Sequence, residues 1–282
     1  MKITIVLSVL FLLPSLAKAT IPEASGVTKV GDMVVIAGDE EPRALWTSKN
    51  KRTPEKIKVQ GHWDDLEGLA TLDTSRFFAI TSQSLTKKGK RRPEREQLML
   101  LTSAPKISVE KIFSPRESIL KFLETKLAGE IDMNILRTGT PDEGGLNVEG
   151  LAYTNGKLYL GLRSPLTRNG EGIIIEMSNP ATNPIPTRVI RVRLGGNGIR
   201  SLDADQKGLI VLSGPSSDQG SGFGLHRMNL ITNEINPLRL PGFERLIRPE
   251  GVITEAPGSY LFVQDFENSE DDEVIVRITQ DP

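Results

Sequence analysis

The chain of 282 residues contains no cysteine and only two histidines, His62 and His226. Without cysteine there are no disulfide bonds and no thiolate catalysis, and a zinc site built on several His or Cys ligands is disfavoured. Excess charge is also lacking: the formal net charge of -1 argues against a general nucleic-acid-binding protein. Stability therefore has to come from a buried core, and a chain of this length can bury a large core as one domain.

The first residues have the parts of a secretory signal peptide. Lys2 is a positive n-region, residues 3–13 are apolar or small hydroxyl residues, and Ala17-Lys18-Ala19 places small residues where a signal peptidase reads them. We predict a signal peptide over residues 1–19, cleavage before Thr20, and a periplasmic or secreted protein. The apolar run is too short to span about 30 Å of hydrocarbon, and no stop-transfer segment follows it, so no membrane span is expected.

A short motif recurs five times along the chain: an acidic or polar residue, Gly or Ser, an aliphatic residue, a turn and an apolar strand. The copies start at Ser25, Glu67, Glu149, Arg200 and Glu250, which are separated by 42, 82, 51 and 50 residues. Further short β-rich segments follow most copies, bounded by Gly, Pro, Asn and Asp turns. Four short strands in a unit of about 40–50 residues are typical of a propeller blade. The sequence predicts an all-β protein, a single β-propeller domain of five four-stranded blades over residues 20–282.

The interval of 82 residues contains an insertion. Ser114-Pro115-Arg116-Glu117 has the pattern of a capping box with Pro at the first helical position, and apolar residues recur behind it at helical spacing up to Gly129. We predict a short helical insertion over residues 114–129. The alternative is a sixth, divergent blade in the same interval.

Four segments carry a resemblance to a known family. They are Glu67–Ala70, the basic loop Lys87–Arg95, Asn147–Ala152 and Gly161–Pro165. Over most of the mature chain they resemble a bacterial family catalogued as domain of unknown function 3616, which implies a propeller and no established activity. The Glu-Gly repeats are also similar to those of calcium-dependent propeller hydrolases, which include phytase-like, lactonase and nucleotidase groups.

The geometry of a blade predicts where the repeated residues lie. The motif opens the innermost strand, so Glu67, Glu149 and Glu250, with Arg200 and Ser25 at the degenerate copies, should ring one mouth of the central channel. The partner strands end in a second ring just outside it, formed by Asp39, Ser82, Arg163, Ser213 and Asp265. The basic loop and the helical insertion should overhang the same mouth, and this convergence is the strongest functional signal in the sequence.

Three carboxylates on a narrow ring repel one another unless positive charge lies between them. One solution is Ca²⁺ bound by Glu67, Glu149 and Glu250 with help from Asp39 or Asp265, because Ca²⁺ takes several oxygen ligands in irregular geometry. A second solution is that Arg200 pairs with a neighbouring glutamate. In a third, each glutamate accepts backbone N–H bonds from the next blade.

The basic loop and His62 each have two interpretations. Lys90, Arg91, Arg92 and Arg95, together with Arg163 and Arg200, would bind an anionic ligand at the mouth. Otherwise the loop is a solvated surface that nearby glutamates partly neutralise. His62 precedes an acidic stretch and would act as a general acid or base beside a metal-bound water, or it is a surface residue.

The leading interpretation is a metal-assisted hydrolase of an anionic small molecule such as a phosphate ester or lactone. Calcium would polarise the substrate and activate water, with His62 and Arg163 as the catalytic side chains. The alternative is a non-catalytic binding or scaffold propeller for a glycan, peptide or envelope protein, and Arg200 in the ring favours it. We expect a monomer, an anionic small-molecule partner and no nucleic acid.

Overall fold

The computed structural model describes residues 21–38, 43–49, 53–217, 222–266 and 274–280. The predicted signal peptide and Asp39 lie outside these residues. Among them, nineteen strands form five antiparallel sheets in which successive strands are neighbours. The innermost strands pack against one another in chain order, and the first packs against the last, which closes a ring. The prediction of an all-β, five-bladed propeller is confirmed.

The blades follow one another along the chain. Blade 1 consists of β1 (Ala24–Val30), β2 (Met33–Gly38), β3 (Ala44–Lys49) and β4 (Glu55–Lys58). Blade 2 consists of β5 (Leu66–Thr71), β6 (Arg76–Thr81), β7 (Leu98–Thr102) and β8 (Ser108–Phe113). Blade 3 consists of β9 (Asn147–Thr154), β10 (Lys157–Ser164), β11 (Gly172–Ser178) and β12 (Ile185–Val192).

Blade 4 consists of β13 (Gly198–Asp205), β14 (Gly208–Gly214), β15 (Gly224–Met228) and the short β16 (Ile235–Pro237). Blade 5 consists of β17 (Pro249–Ala256), β18 (Ser259–Gln264) and β19 (Ile275–Thr279). The described residues thus give blade 5 three strands rather than the predicted four.

The core lies between adjacent blades, because both faces of each sheet are covered by a neighbour. At the junction that closes the ring, Ile36 and Trp46 of blade 1 pack with Leu261 and Val263 of blade 5. The central strands of the blades are therefore buried on both faces and carry continuous apolar runs, as strands covered on both sides do. Burial of this apolar surface replaces the disulfide bonds that the chain cannot form.

The glycines of the repeated motif allow the inner strands to approach closely. A Cβ atom at Gly68 would lie 2.7 Å from Cβ of Leu151 in blade 3, and one at Gly26 would lie 2.4 Å from the carbonyl oxygen of Glu67 in blade 2. Both distances are too short for a real contact, so a side chain at either position would push two blades apart. Ser201 occupies this place in blade 4, where its hydroxyl accepts a hydrogen bond from the N–H of Val252 at 3.2 Å.

The insertion between blades 2 and 3 is helical, and the alternative of a sixth blade is wrong. Helix α1 spans Arg116–Lys126 and α2 spans Met133–Thr138; short 3₁₀ turns cover Pro93–Arg95, Pro141–Glu143 and Phe243–Arg245. The predicted capping box does not form: Pro115 takes the N-cap position and no side chain caps it. The apolar face of α1 is buried, as its spacing predicts. None of the described helices is long and apolar enough to cross a membrane.

Candidate functional site

A β-bulge brings each repeated residue to the channel mouth. In every blade the pairing between the first two strands skips one residue near the start of the inner strand. The skipped residues are Ser25, Glu67, Glu149, Arg200 and Glu250. A bulged residue has no cross-strand partner and its side chain is turned out of the normal alternation, which is how bulges aim side chains at sites.

These five residues line one cavity of about 190 Å³ at the mouth. Its carboxylates are Glu23, Asp65, Glu67, Asp142, Glu149, Glu250 and Asp265. Its cations are Lys87, Arg95, Arg163, Arg200 and Arg248. The structure therefore brings together the three predicted glutamates, Arg163, Arg200 and both ends of the basic loop, Lys87 and Arg95. The volume is smaller than that of a typical drug-sized pocket, which is about 300–1,000 Å³.

Arg200 lies between two of the glutamates at the bottom of this site. Its Nη1 donates to Oε2 of Glu149 at 3.1 Å, and its Nη2 donates to Oε1 of Glu250. All three side chains are at least 89% buried. Oε1 of Glu149 also accepts hydrogen bonds from Arg163 Nη1 at 3.1 Å and from Asn147 Nδ2 at 3.2 Å. Charge-assisted hydrogen bonds of this kind are strong in a site shielded from water.

Burial raises the pKa of Glu250 to about 7; Arg200 works against this shift and the charge of Glu149 adds to it. One arginine is shared by two carboxylates, so it cannot fully compensate both. Among the described residues, the only side-chain hydrogen bond of Glu250 is the one from Arg200 to Oε1. Glu250 therefore lines the cavity with one oxygen that accepts no side-chain hydrogen bond from the described residues, and its raised pKa lies near neutral pH.

Two buried polar atoms beside this cluster have no hydrogen-bond partner within the described part of the chain. They are Nε of Arg200 and Oδ1 of Asn147. An unsatisfied buried polar group costs about 1–3 kcal/mol. Ordered water or a polar ligand in the cavity would satisfy both atoms.

The contacts of the ring distinguish between the three predicted partners of the glutamates, which are Ca²⁺, Arg200 and backbone N–H groups. Arg200 occupies the space between Glu149 and Glu250 in which a shared Ca²⁺ ion would have to lie, so these two residues do not fit a joint calcium site. Backbone N–H groups of blade 5 donate to side chains of blade 4 other than the ring residue: the N–H of Thr254 donates to Asp203 at 2.7 Å. Pairing with Arg200 is thus favoured, and calcium elsewhere at the mouth stays a prediction. No group of three or more Asp, Glu, His and Cys side chains arranged for a metal ion is present among the described residues.

The arginines of the basic loop are held by carboxylates of the protein itself. Arg95 contacts Asp65 at 2.8 Å and Asp64 at 3.0 Å, and Arg92 reaches Asp64 at 3.3 Å. Arg91 donates to Glu96, with 2.8 Å between Nη2 and Oε2. Of the four predicted loop cations, only Arg95 lines the cavity; Lys90, Arg91 and Arg92 point to the surface.

The other predicted residues divide into two groups. Asp265 lines the cavity and pairs with Arg248 at 3.2 Å. His62 is not part of the cavity lining: its side chain is 58% exposed and lies 3.7 Å from Glu94. Ser213 is buried and hydrogen-bonded to His226 at 3.1 Å, beside the cavity rather than in its wall.

Sequence reasoning missed an outer tier of side chains that lies two residues before each ring position. Glu23, Asp65, Asn147 and Arg248 line the cavity and precede Ser25, Glu67, Glu149 and Glu250 by two. Glu23, Asp65 and Arg248 lie just before an inner strand begins, so strand alternation does not place them. The available signal was the recurrence of a polar residue two positions before the motif. The fifth place is Gly198, where a Cβ would lie 2.1 Å from the carbonyl oxygen of Arg163.

Fold and site together define a five-bladed β-propeller with a buried, charged cavity at one channel mouth. The model of a family described as Protein of unknown function (DUF3616) matches residues 133–238, from α2 to the end of blade 4. This confirms the resemblance over that part of the chain. No curated protein sequence matches the chain.

Solved structures similar to this chain include two propeller enzymes. A GH43 β-1,3-galactosidase with bound galactodeoxynojirimycin has a TM-score of 0.57 and 13% identity, with 94% of each chain covered. An exo-β-1,3-galactanase from Phanerochaete chrysosporium with β-1,3-galactotriose has a TM-score of 0.52 and 9% identity, covering 86% of this chain and 56% of that one. At these identities the likeness shows the fold alone.

Proposed function

We propose that the channel mouth binds a small polar molecule and hydrolyses it, with Glu250 as the proton donor. The observation that carries the proposal is the shared arginine: Arg200 holds one oxygen of Glu250 and both oxygens of Glu149. The pKa of Glu250, raised by burial to about 7, suits a group that has to hold and release a proton at neutral pH.

Each carboxylate has a distinct task in this reaction. The second oxygen of Glu250 gives its proton to the leaving-group oxygen as the bond to it breaks. A water molecule attacks the other side of that bond and loses a proton to Oε2 of Glu149, which carries fewer hydrogen bonds than Oε1. Transfer of that proton back to Glu250 completes the cycle, and one water is consumed for each bond cleaved. Arg200 positions both carboxylates: it holds Oε1 of Glu250, not the oxygen that gives the proton, and it donates to Oε2 of Glu149, the oxygen that accepts the proton from water.

The chemistry of the lining favours a small and very polar ligand. Twelve charged side chains line the cavity, and no aromatic side chain is among the described residues that line it. A ligand with an extended apolar face would find no stacking surface there, whereas hydroxyl and charged groups find both donors and acceptors. The two propeller glycosidases are similar in fold only, but they support the idea that this architecture accommodates hydrolysis at a cleft.

The test is a panel of chromogenic phosphate esters, lactones and glycosides assayed with the mature protein. Against an active compound, Glu250→Gln should lower kcat/KM about 10²–10⁴-fold, the usual contribution of a general acid. Glu130→Gln is the matched control, since Glu130 is an exposed partner of Arg191 away from the cavity lining. Full activity in Glu250→Gln would overturn the proposal. Ligand binding without turnover by the wild type would favour the non-catalytic alternative.

A further inference from the structure

We infer that Lys87 is the specificity-determining residue that recognises an anionic group on the ligand. The inference rests on the proposed function for the position of the ligand in the mouth. Five cationic side chains line that cavity, and four of them have carboxylate partners in the protein. The pairs are Arg95 with Asp65, Arg163 and Arg200 with Glu149, and Arg248 with Asp265.

Lys87 differs from these four arginines. It lines the cavity and is exposed, and within the described residues it forms no ion pair. An arginine that already forms an ion pair in the protein has much of its charge compensated, so a ligand anion gains less from contacting it. A lysine without such a pair has its full charge and three donors available.

The loop that carries Lys87 is built to hold it in place. Its tip is a turn in which Thr86 donates from its N–H to the Lys90 carbonyl at 2.9 Å and accepts from Gly89 at 2.8 Å. Gly89 has a φ of +68°, a conformation that few other residues adopt without strain. Behind the tip, Arg91 and Arg95 anchor the loop to Glu96 and Asp65. The arginines thus fix the loop, and Lys87 is presented to the mouth.

Anion binding here would not follow from the overall charge of the cavity. Seven carboxylates line it against five cations, so its general field does not attract anions. Binding of an anionic group therefore requires a local contact with a cation that no carboxylate of the protein neutralises. The substrate class this defines is a small molecule with a carboxylate or phosphate at the rim and the hydrolysable bond nearer to Glu250.

The experiment uses inorganic phosphate as the probe and measures its binding to the mature protein by calorimetry at low ionic strength. Lys87→Ala should weaken binding about fivefold, the effect of one charge contact exposed to water. Lys90→Ala is the matched control from the same loop, because Lys90 is exposed but does not line the cavity; it should change binding less than twofold. Asp142→Asn removes a carboxylate from the lining and should strengthen phosphate binding. Lys87→Arg keeps a cation at this position and should bind phosphate more tightly than Lys87→Ala.

Equal losses in Lys87→Ala and Lys90→Ala would mean that phosphate senses only the general charge of the loop, and would overturn the assignment. Unchanged binding in Lys87→Ala, or no binding to the wild type, would overturn it as well. Phosphate binding is measured without turnover. A failure of this inference is therefore distinguishable from a failure of the hydrolase, which the substrate panel and Glu250→Gln test separately.

Discussion

Arg200 donates from a single guanidinium nitrogen, Nη1, to both carboxylate oxygens of Glu149, at 3.3 and 3.1 Å. The two residues are 51 positions apart in the chain and are the bulged residues of adjacent blades. Their contact links blade 3 to blade 4 at the channel mouth, where both side chains are almost completely buried. A buried cation with this role is a structural element of the mouth as well as part of its chemistry.

Removal of Arg200 should therefore be costly. Arg200→Met leaves Glu149 and Glu250 buried without the cation they share, and loss of one partner of a buried ion pair costs about 3–5 kcal/mol. The free energy of unfolding, measured by denaturant titration, should fall by that amount. Arg191→Met is the control, since Arg191 pairs with Glu130 at the surface and an exposed pair contributes only about 0–1 kcal/mol. Similar losses in the two variants would contradict a buried, shared arginine.

The stability of the protein should depend on the proton of Glu250. Because burial raises the folded-state pKa to about 7, above the usual 4.5 of the unfolded chain, the folded state binds the proton more tightly. The stabilisation is complete below the unfolded pKa and is lost as the pH rises through about 7. Melting temperatures of the wild type should thus fall between pH 5 and pH 8, and Glu250→Gln should reduce this fall. The same pH dependence in wild type and variant would assign it to another group.

The activity should also depend on the proton of Glu250 and, like the stability, should fall as the pH rises. Glu250 has to be protonated in order to donate, so kcat/KM of an active substrate should fall as the pH rises above about 7. A pH–rate profile measures this directly. In Glu250→Gln the limb near 7 should be absent from whatever activity remains. A wild-type kcat/KM that increases through this range would assign the titrating group a basic role instead.

Gly68, which follows the bulged Glu67 and packs against Glu149 of the neighbouring blade, should not tolerate a side chain. A Cβ at Gly68 would lie 3.0 Å from the carbonyl oxygen of Glu149, so Gly68→Ala should destabilise by about 1–3 kcal/mol through overpacking and impair the site. Gly129→Ala is the control: Gly129 has a φ of +81° and free space around it. It should cost about 1 kcal/mol of backbone strain and leave activity intact. A Gly68→Ala protein with normal stability would show that the blades have room to separate.

Calcium, expected from the sequence, is tested by melting the protein in calcium and in chelator. A bound ion would raise the melting temperature by mass action. Glu149 already accepts from Arg163 and Arg200, so we expect Glu149→Gln to leave any calcium-dependent shift unchanged while lowering stability in both buffers. Loss of the shift in Glu149→Gln would instead make Glu149 a calcium ligand and would require Arg200 to move aside.

The sequence alone determined the architecture and the identity of the ring. Both follow from a sequence repeat in which each unit has to bury its two faces against its neighbours. The length of the repeat, with its four short strands, predicts a blade, and a glycine follows Glu67, Glu149 and Glu250 because the inner strands meet closely there. The helical insertion predicted over residues 114–129 contains α1, which spans Arg116–Lys126, and the proline at its N-cap leaves it without the predicted side-chain cap. The second helix, α2, was not predicted.

Only the tertiary structure decided how the charges are paired. Sequence reasoning placed Glu149, Arg200 and Glu250 at one mouth and left open whether calcium, Arg200 or backbone N–H groups neutralise the carboxylates. It also left open whether the loop cations bind an anion or form a solvated surface, and the structure shows that Arg92, Arg95 and Arg91 contact Asp64, Asp65 and Glu96. Ion pairs depend on distances of a few ångströms between residues about 50 positions apart, and these distances are set by the curvature of the ring and the bulge in each inner strand, which no local pattern of residues encodes.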